Sequence, residues 1–130
     1  CNMNKLIIDA VKENIFLMVI NDNDTYSISY ENSKTNYEKL IVLVNNFLDS
    51  KNINLKDISA IYLNIGPGSF AGIRNSISVI KAINLVMKID YYCFSFEYFK
   101  EIKEIEYENI PSLCDKFNVK KNLINPIYIS

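Results

Sequence analysis

The chain has no histidine, a single arginine and only three glycines in 130 residues. Without histidine the commonest general base and metal ligand is gone, and with it every Ser-His, Cys-His or His-zinc mechanism. The cysteines, Cys1, Cys93 and Cys114, are odd in number and widely spaced, and no C-x-x-C occurs. Neither a zinc site nor a redox pair is indicated, and reduced thiols in a cytoplasmic protein are the expectation. The longest continuous apolar stretch, Ile15 to Ile20, is far too short to span a bilayer. The start of the chain runs almost directly into a strand-like segment, without the basic and apolar regions of a secretory signal. A net charge of −1 and a pI of about 5.4 supply no broad basic face. Binding dominated by a nucleic-acid backbone is therefore not expected.

What is present fits one α/β domain. The hydrophobic fraction of 49% is ample for a packed core at this length. Lys5 to Val11 and Asn14 to Asn21 are apolar runs, and Asp22-Asn23-Asp24 is a polar turn. Thr25 to Tyr30 alternates Tyr26, Ile28 and Tyr30 with Thr25, Ser27 and Ser29, the pattern of a half-solvated strand, so these three strands read as an antiparallel meander. Tyr37 to Ser50 has helical periodicity, Ala60 to Ile65 reads as a central strand, and a second helix runs from about Ser69 to Lys88. Tyr91 to Ser95 is a fifth strand and Phe96 to about Lys103 a third helix. The order βββαβαβα predicts a mixed five-stranded sheet with helices on its faces, the arrangement of the ribonuclease H-like half-domain of the actin and sugar-kinase superfamily. The lobe spans residues 3–103. Residues 104–130 form a residual carboxy-terminal segment with a short helix and an extended tail, placed to cover sheet surface otherwise left bare.

The second helix is apolar nearly all round, through Phe70, Ile73, Ile77, Val79, Ile80, Ile83, Leu85 and Val86. Such a helix is buried on more than one side, and a domain this small has little mass to cover both. The first helix carries Tyr37, Leu40, Ile41 and Val44 on one stripe, with Val42 and Leu43 outside it. The helix pair is thus a candidate partner surface, a deep core helix being the plainer alternative.

All three glycines and the only arginine fall within Gly66-Pro67-Gly68-Ser69-Phe70-Ala71-Gly72-Ile73-Arg74. Pro suits the second position of a tight turn and Gly the third, where φ is positive. Ser69 is a credible helix N-cap, and Gly72 permits close approach of another backbone or a ligand. A glycine-rich turn at a helix N-terminus is an anion site in principle, which makes Asp9, Gly66, Gly68 and Ser69 weak cofactor-binding candidates. The phosphate-loop and dinucleotide spacings are not matched, however, and no G-x-S-x-G elbow is formed. From the residues alone a structural turn and a ligand site stand about equal.

Gly66 to Arg74 resembles the G-P-G-S-F-T-G-[LIV]-R signature of the TsaB family, also called YeaZ, a paralogue of the TsaD family. The resemblance extends over about Lys5 to Phe99. Leu6-Ile7-Ile8-Asp9 is similar to the family's opening strand, Leu55-Lys56-Asp57-Ile58 to its L-x-D-[IL], and Asn125-Pro126-Ile127-Tyr128-Ile129 to its closing P-x-Y-[LI]-R. The departures are Asp9-Ala10-Val11 for D-T-S, Ala71 for Thr, Asn75-Ser76 for I-G, and loss of the His near Asn36. The resemblance implies that the family's second lobe is almost wholly deleted here.

The resemblance further implies a non-catalytic scaffold subunit in biosynthesis of N6-threonylcarbamoyladenosine on tRNA. Such a subunit binds and activates the TsaD-type transferase through its first two helices, with a TsaE-family ATPase joining the complex and tRNA contacted only indirectly. Alone, a homodimer is expected. No catalytic residue, cofactor or metal follows from it. Candidate interface residues are Tyr37, Leu40, Ile41 and Val44 on the first helix and Phe70, Ile73, Arg74, Ile77 and Ile80 on the second. Arg74 is open to pairing with a partner carboxylate or anchoring the turn, and Asp9 to a structural role or a metal. The alternatives are a residual nucleotide-binding or peptidase-like enzyme domain, using Asp9 and the Gly66–Gly72 turn, and a self-associating structural protein.

Overall fold

The structure is a computed structural model and describes residues 3–22 and 24–125. Five strands, β1 (Asn4–Asp9), β2 (Asn14–Ile20), β3 (Thr25–Glu31), β4 (Ile58–Asn64) and β5 (Asp90–Phe94), form one sheet in the order β3-β2-β1-β4-β5. β1 to β3 are the antiparallel meander anticipated from their alternation, and β1, β4 and β5 are parallel. β1 and β4 lie at the centre, which is why their sequences are almost unbroken apolar runs: both faces are covered.

The connections set the layers. On one face lie α1 (Lys34–Glu38), α2 (Leu40–Ser50) and α3 (Phe70–Met87). They pack on Leu6, Ile8, Leu17, Ile61 and Leu63 through Leu40, Val44, Phe47, Ile80 and Ile83. The anticipated first helix is two helices. Ser33 caps α1 by accepting from the Asn36 N–H at 3.1 Å, which starts it earlier than the apolar stripe does. Lys39 (φ −110°, ψ 28°) then interrupts the helical path before α2. α3 is bounded as its caps dictate: Ser69 Oγ accepts from the Gly72 N–H at 3.1 Å, and Lys88 closes the helix in the left-handed region at φ 61°.

The opposite face is covered by the end of the chain. The anticipated helix Phe96 to Lys103 is only a 3-10 turn, Phe96–Phe99, capped by Ser95. Its aromatic residues turn inward instead, with Phe99 buried against Phe94 and Phe117. A further 3-10 turn, Tyr107–Asn109, leads into α4 (Ile110–Lys116). Ile110, Leu113 and Cys114 of α4 join Ile7, Met18, Tyr62, Phe94 and Phe99 in a second core. The described part of the segment after residue 103 thus packs over the sheet face that α1 to α3 leave open. The Asn125-Pro126-Ile127-Tyr128-Ile129 motif lies, after Asn125, outside the described residues.

Candidate partner interface and Asp9 cleft

The glycine segment joins the end of β4 to α3 and is pressed against the end of β1. A side-chain carbon on Gly72 would sit 1.8 Å from the Ala10 carbonyl oxygen, and one on Gly68 2.4 Å from that of Val11. Both glycines are there because backbone meets backbone. The positive φ lies at Gly66 (112°), before a cis Gly66-Pro67 bond, and not at Gly68 where the turn pattern put it. Three N–H groups that an anion would want are already donated within the protein. Gly66 gives to Asn64 Oδ1 at 2.9 Å, Ser69 to the Val11 carbonyl at 3.0 Å and Gly72 to Ser69 Oγ.

Asp9 ends β1 with its side chain buried on the α4 side of the sheet. Its carboxylate accepts from Asn64 Nδ2 at 3.1 Å, from the Val11 N–H at 3.2 Å and from the Tyr107 hydroxyl at 2.5 Å. Burial first, then the charge of Asp9 and the hydrogen bond to it, push the Tyr107 phenol well above its usual range. Phe16 stacks on the Tyr107 ring at 4.3 Å. A cleft of about 720 Å³ opens beside them, with Lys12, Asn14 and Asn32 at its rim. Among the described residues no cluster of three His, Cys, Asp or Glu side chains is placed to hold a metal.

Asn64 and Tyr107 were not singled out from the sequence. Asn64 left a signal, since it is the one amide inside the apolar run Ala60 to Ile65. Its side chain ties Asp9 to the glycine turn. Tyr107 left none, because it reaches Asp9 across 98 positions.

The candidate interface residues divide by burial. Tyr37, Leu40, Val44, Ile73 and Ile80 point into the chain's own core, while Ile41 and Ile77 are half-buried at its margin. Phe70 and Arg74 are on the surface, with the Arg74 guanidinium over the Phe70 ring at 5.6 Å. The helix layer exposes Phe70 (46%) at the start of α3, Leu85 (72%) and Val86 (77%) at its far end, and Val42 (48%) on α2. Between α1/α2 and α3 runs a shallow groove of about 240 Å³ lined by Tyr37, Ile41, Val79 and Ala82.

This architecture and site can be set beside known proteins. The family model described as TsaD, tRNA N6-adenosine threonylcarbamoyltransferase, matches residues 30–95, half of the chain. The tRNA threonylcarbamoyladenosine biosynthesis protein TsaB of Buchnera aphidicola subsp. Schizaphis graminum (strain Sg) is 30% identical over 90 residues, 69% of this chain and 43% of that protein. The chain belongs to this family, on its TsaB (YeaZ) branch. YeaZ from Pseudomonas aeruginosa superposes with a TM-score of 0.66 at 22% identity, over 72% of this chain and 44% of that one. T. thermophilus RuvC, solved with a Holliday junction substrate, shares the ribonuclease H-like fold over 96% of this chain and 85% of its own, with a TM-score of 0.55 at 9% identity. The chain thus spans less than half the length of the TsaB relatives it matches. No helix among the described residues is long and apolar enough to cross a membrane.

Proposed function

We propose that the chain is a non-catalytic partner subunit in tRNA N6-threonylcarbamoyladenosine biosynthesis, binding and activating a TsaD-type transferase through the outer surface of α1/α2 and α3. The observation that carries this reading is the apolar surface of the helix layer. Val42, Phe70, Leu85 and Val86 are exposed on elements whose other faces already fill the core. These exposed apolar side chains are the contact points that this reading assigns to a partner. Membership of the TsaB branch supports the transferase as occupant. A TsaE-family ATPase then joins through the complex, and tRNA is met indirectly, in the cytoplasm. The way Asp9 is held also supports the non-catalytic reading, because its carboxylate is engaged by Asn64, Val11 and Tyr107.

The test is reconstitution of the modification with a TsaD-family protein, with and without this chain, combined with co-purification of the two. Modification that depends on the chain, with a stable complex, is the expected result. Modification indifferent to the chain, together with a homodimer that ignores the transferase, favours the self-associating protein. Nucleotide hydrolysis by the isolated chain that is lost in Asp9→Asn favours the enzyme domain.

A further inference from the structure

A second cavity lies on the α4 side of the sheet, away from Asp9 and from the helix layer. Ile7 pairs with Tyr62 and Tyr62 with Tyr92, so alternation puts Lys5, Tyr62 and Tyr92 on that same face. The chain returns to them after α4. The Val119 N–H donates to the Cys114 carbonyl at 2.9 Å and Asn118 takes φ 56°, which ends the helix. Lys121 then forms an antiparallel bridge with Tyr92, and the Asn122 N–H donates to the Tyr91 carbonyl at 2.8 Å. This return brings Lys120 and Lys121 to the rim of a cavity of about 580 Å³ that Lys5, Tyr62 and Tyr92 also line. That volume is within the range of small-ligand sites.

The lining has the chemistry of an anion site. Three lysines, Lys5, Lys120 and Lys121, and one acidic residue, Asp115, line it. Lys121 lies 3.7 Å from the exposed Asp90, whereas Lys5 and Lys120 make no ion pair among the described residues. Tyr62 is almost wholly buried, lines the cavity, and makes no side-chain hydrogen bond among the described residues, which leaves its hydroxyl as a donor for a ligand. Its ring stacks on that of Tyr92 at 5.0 Å, giving the cavity an aromatic wall. A chain of net charge −1 has nonetheless brought three lysines to one concave place, two of them without an ion pair among the described residues.

We propose that this cavity binds a small phosphate ester with a planar body, the chemistry of a mononucleotide. Lys5 and Lys120 hold the phosphate with the Tyr62 hydroxyl as a further donor, and Tyr92 contacts the planar part. The proposal does not rest on the transferase partnership, because the cavity is on the other side of the sheet.

The experiment is calorimetric titration of the whole chain with AMP, and with adenosine as the uncharged control. Saturable binding of AMP, weaker as salt rises and absent for adenosine, is the expected result. Lys120→Gln and Lys5→Gln should each weaken binding about tenfold, the loss of one charge-assisted contact, and Tyr62→Phe several-fold. Lys34→Gln, on the helix layer, should leave it unchanged. Circular dichroism checks that each variant is folded; should Lys5→Gln unfold, the exposed Lys120→Gln alone decides. The proposal is overturned by no saturable binding of AMP, by an equal loss in Lys34→Gln, or by binding abolished in Asp9→Asn. Binding of a single-stranded oligonucleotide with none of AMP overturns it as well.

Discussion

The Tyr107 hydroxyl donates to the Asp9 carboxylate at 2.5 Å, joining the last stretch of the chain to the end of its first strand. The contact matters because Asp9 is 1% exposed, and a buried carboxylate without donors is costly. It also makes residues after 103 integral to the fold: the segment that packs over Ile7 and Tyr62 supplies a donor to the charge beside them.

Tyr107→Phe should therefore destabilise the chain by about 1–3 kcal/mol, the cost of an unmet partner at a buried acceptor, read as a lower urea midpoint at unchanged slope. The same pair predicts an alkaline limit. The folded Tyr107 phenol titrates above its unfolded value of about 10, so the unfolded state releases its proton first. Stability is then fully present below pH 10 and falls as pH rises above it. Tyr62, raised by burial first and then by Tyr92, contributes in the same sense. Urea melts between pH 8 and 11 should show the fall, and Tyr107→Phe should make it shallower. Equal slopes in both proteins would remove Tyr107 from the account.

Gly72→Ala should be among the most damaging single-methyl changes available. Its Cβ would need the space 1.8 Å from the Ala10 carbonyl oxygen, and that atom is backbone of a buried strand end. A loss of about 3 kcal/mol, at the upper end of overpacking, is expected in thermal or urea melts. Ala71→Ser, one residue earlier and exposed, should change stability by less than about 0.5 kcal/mol. A tolerated Gly72→Ala would mean that the strand end and helix can separate.

Much of the architecture could be read in the residues. Period-two alternation in Thr25 to Tyr30 marks a half-solvated strand, which the sheet holds at its edge, and the apolar run Ala60 to Ile65, interrupted only by Asn64, a covered one. Ser69 and Lys88 bound α3 because caps are local chemistry. The errors arose where tertiary contacts override local preference. Phe96 to Lys103 has helical composition, but Phe94, Phe96 and Phe99 are more useful to the second core than to a helix. In the glycine segment, spacing alone could not distinguish an anion turn from a close approach of backbones, because the surface that α3 meets, Ala10 and Val11, lies far back in the sequence. The Asp9–Asn64–Tyr107 network joins three distant positions: Asp9 stood out at the end of the first apolar run, the lone amide in β4 hinted at its partner, and nothing marked Tyr107.

Cys93 and Cys114 should resist thiol reagents while the protein is folded. Burial pushes both thiols up to about 12, Cys114 with a further contribution from Cys93, so at pH 8 almost no thiolate is present. In a Cys1→Ser background, labelling by iodoacetamide at pH 8 should be slow and should accelerate sharply at the urea unfolding midpoint. Fast stoichiometric labelling in native buffer would show that one of the two is reached without unfolding.

The helix layer separates what holds the fold from what is offered to a partner. Ile80 is wholly buried between α3 and the sheet, whereas Val42 and Val86 stand in solvent on the outer surface. Ile80→Ala should cost about 2–5 kcal/mol, and any loss of partner binding should follow from unfolding. Val42→Lys and Val86→Lys should alter stability by less than about 0.5 kcal/mol. Each introduces a charge that the proposed apolar contact would have to desolvate, so co-purification of a TsaD-family protein should fall at least about tenfold. The comparison is made on proteins shown by urea melt to be equally folded. If both lysine variants retain the transferase at the affinity of the parent chain, the outer surface of α2 and α3 is not where the partner sits.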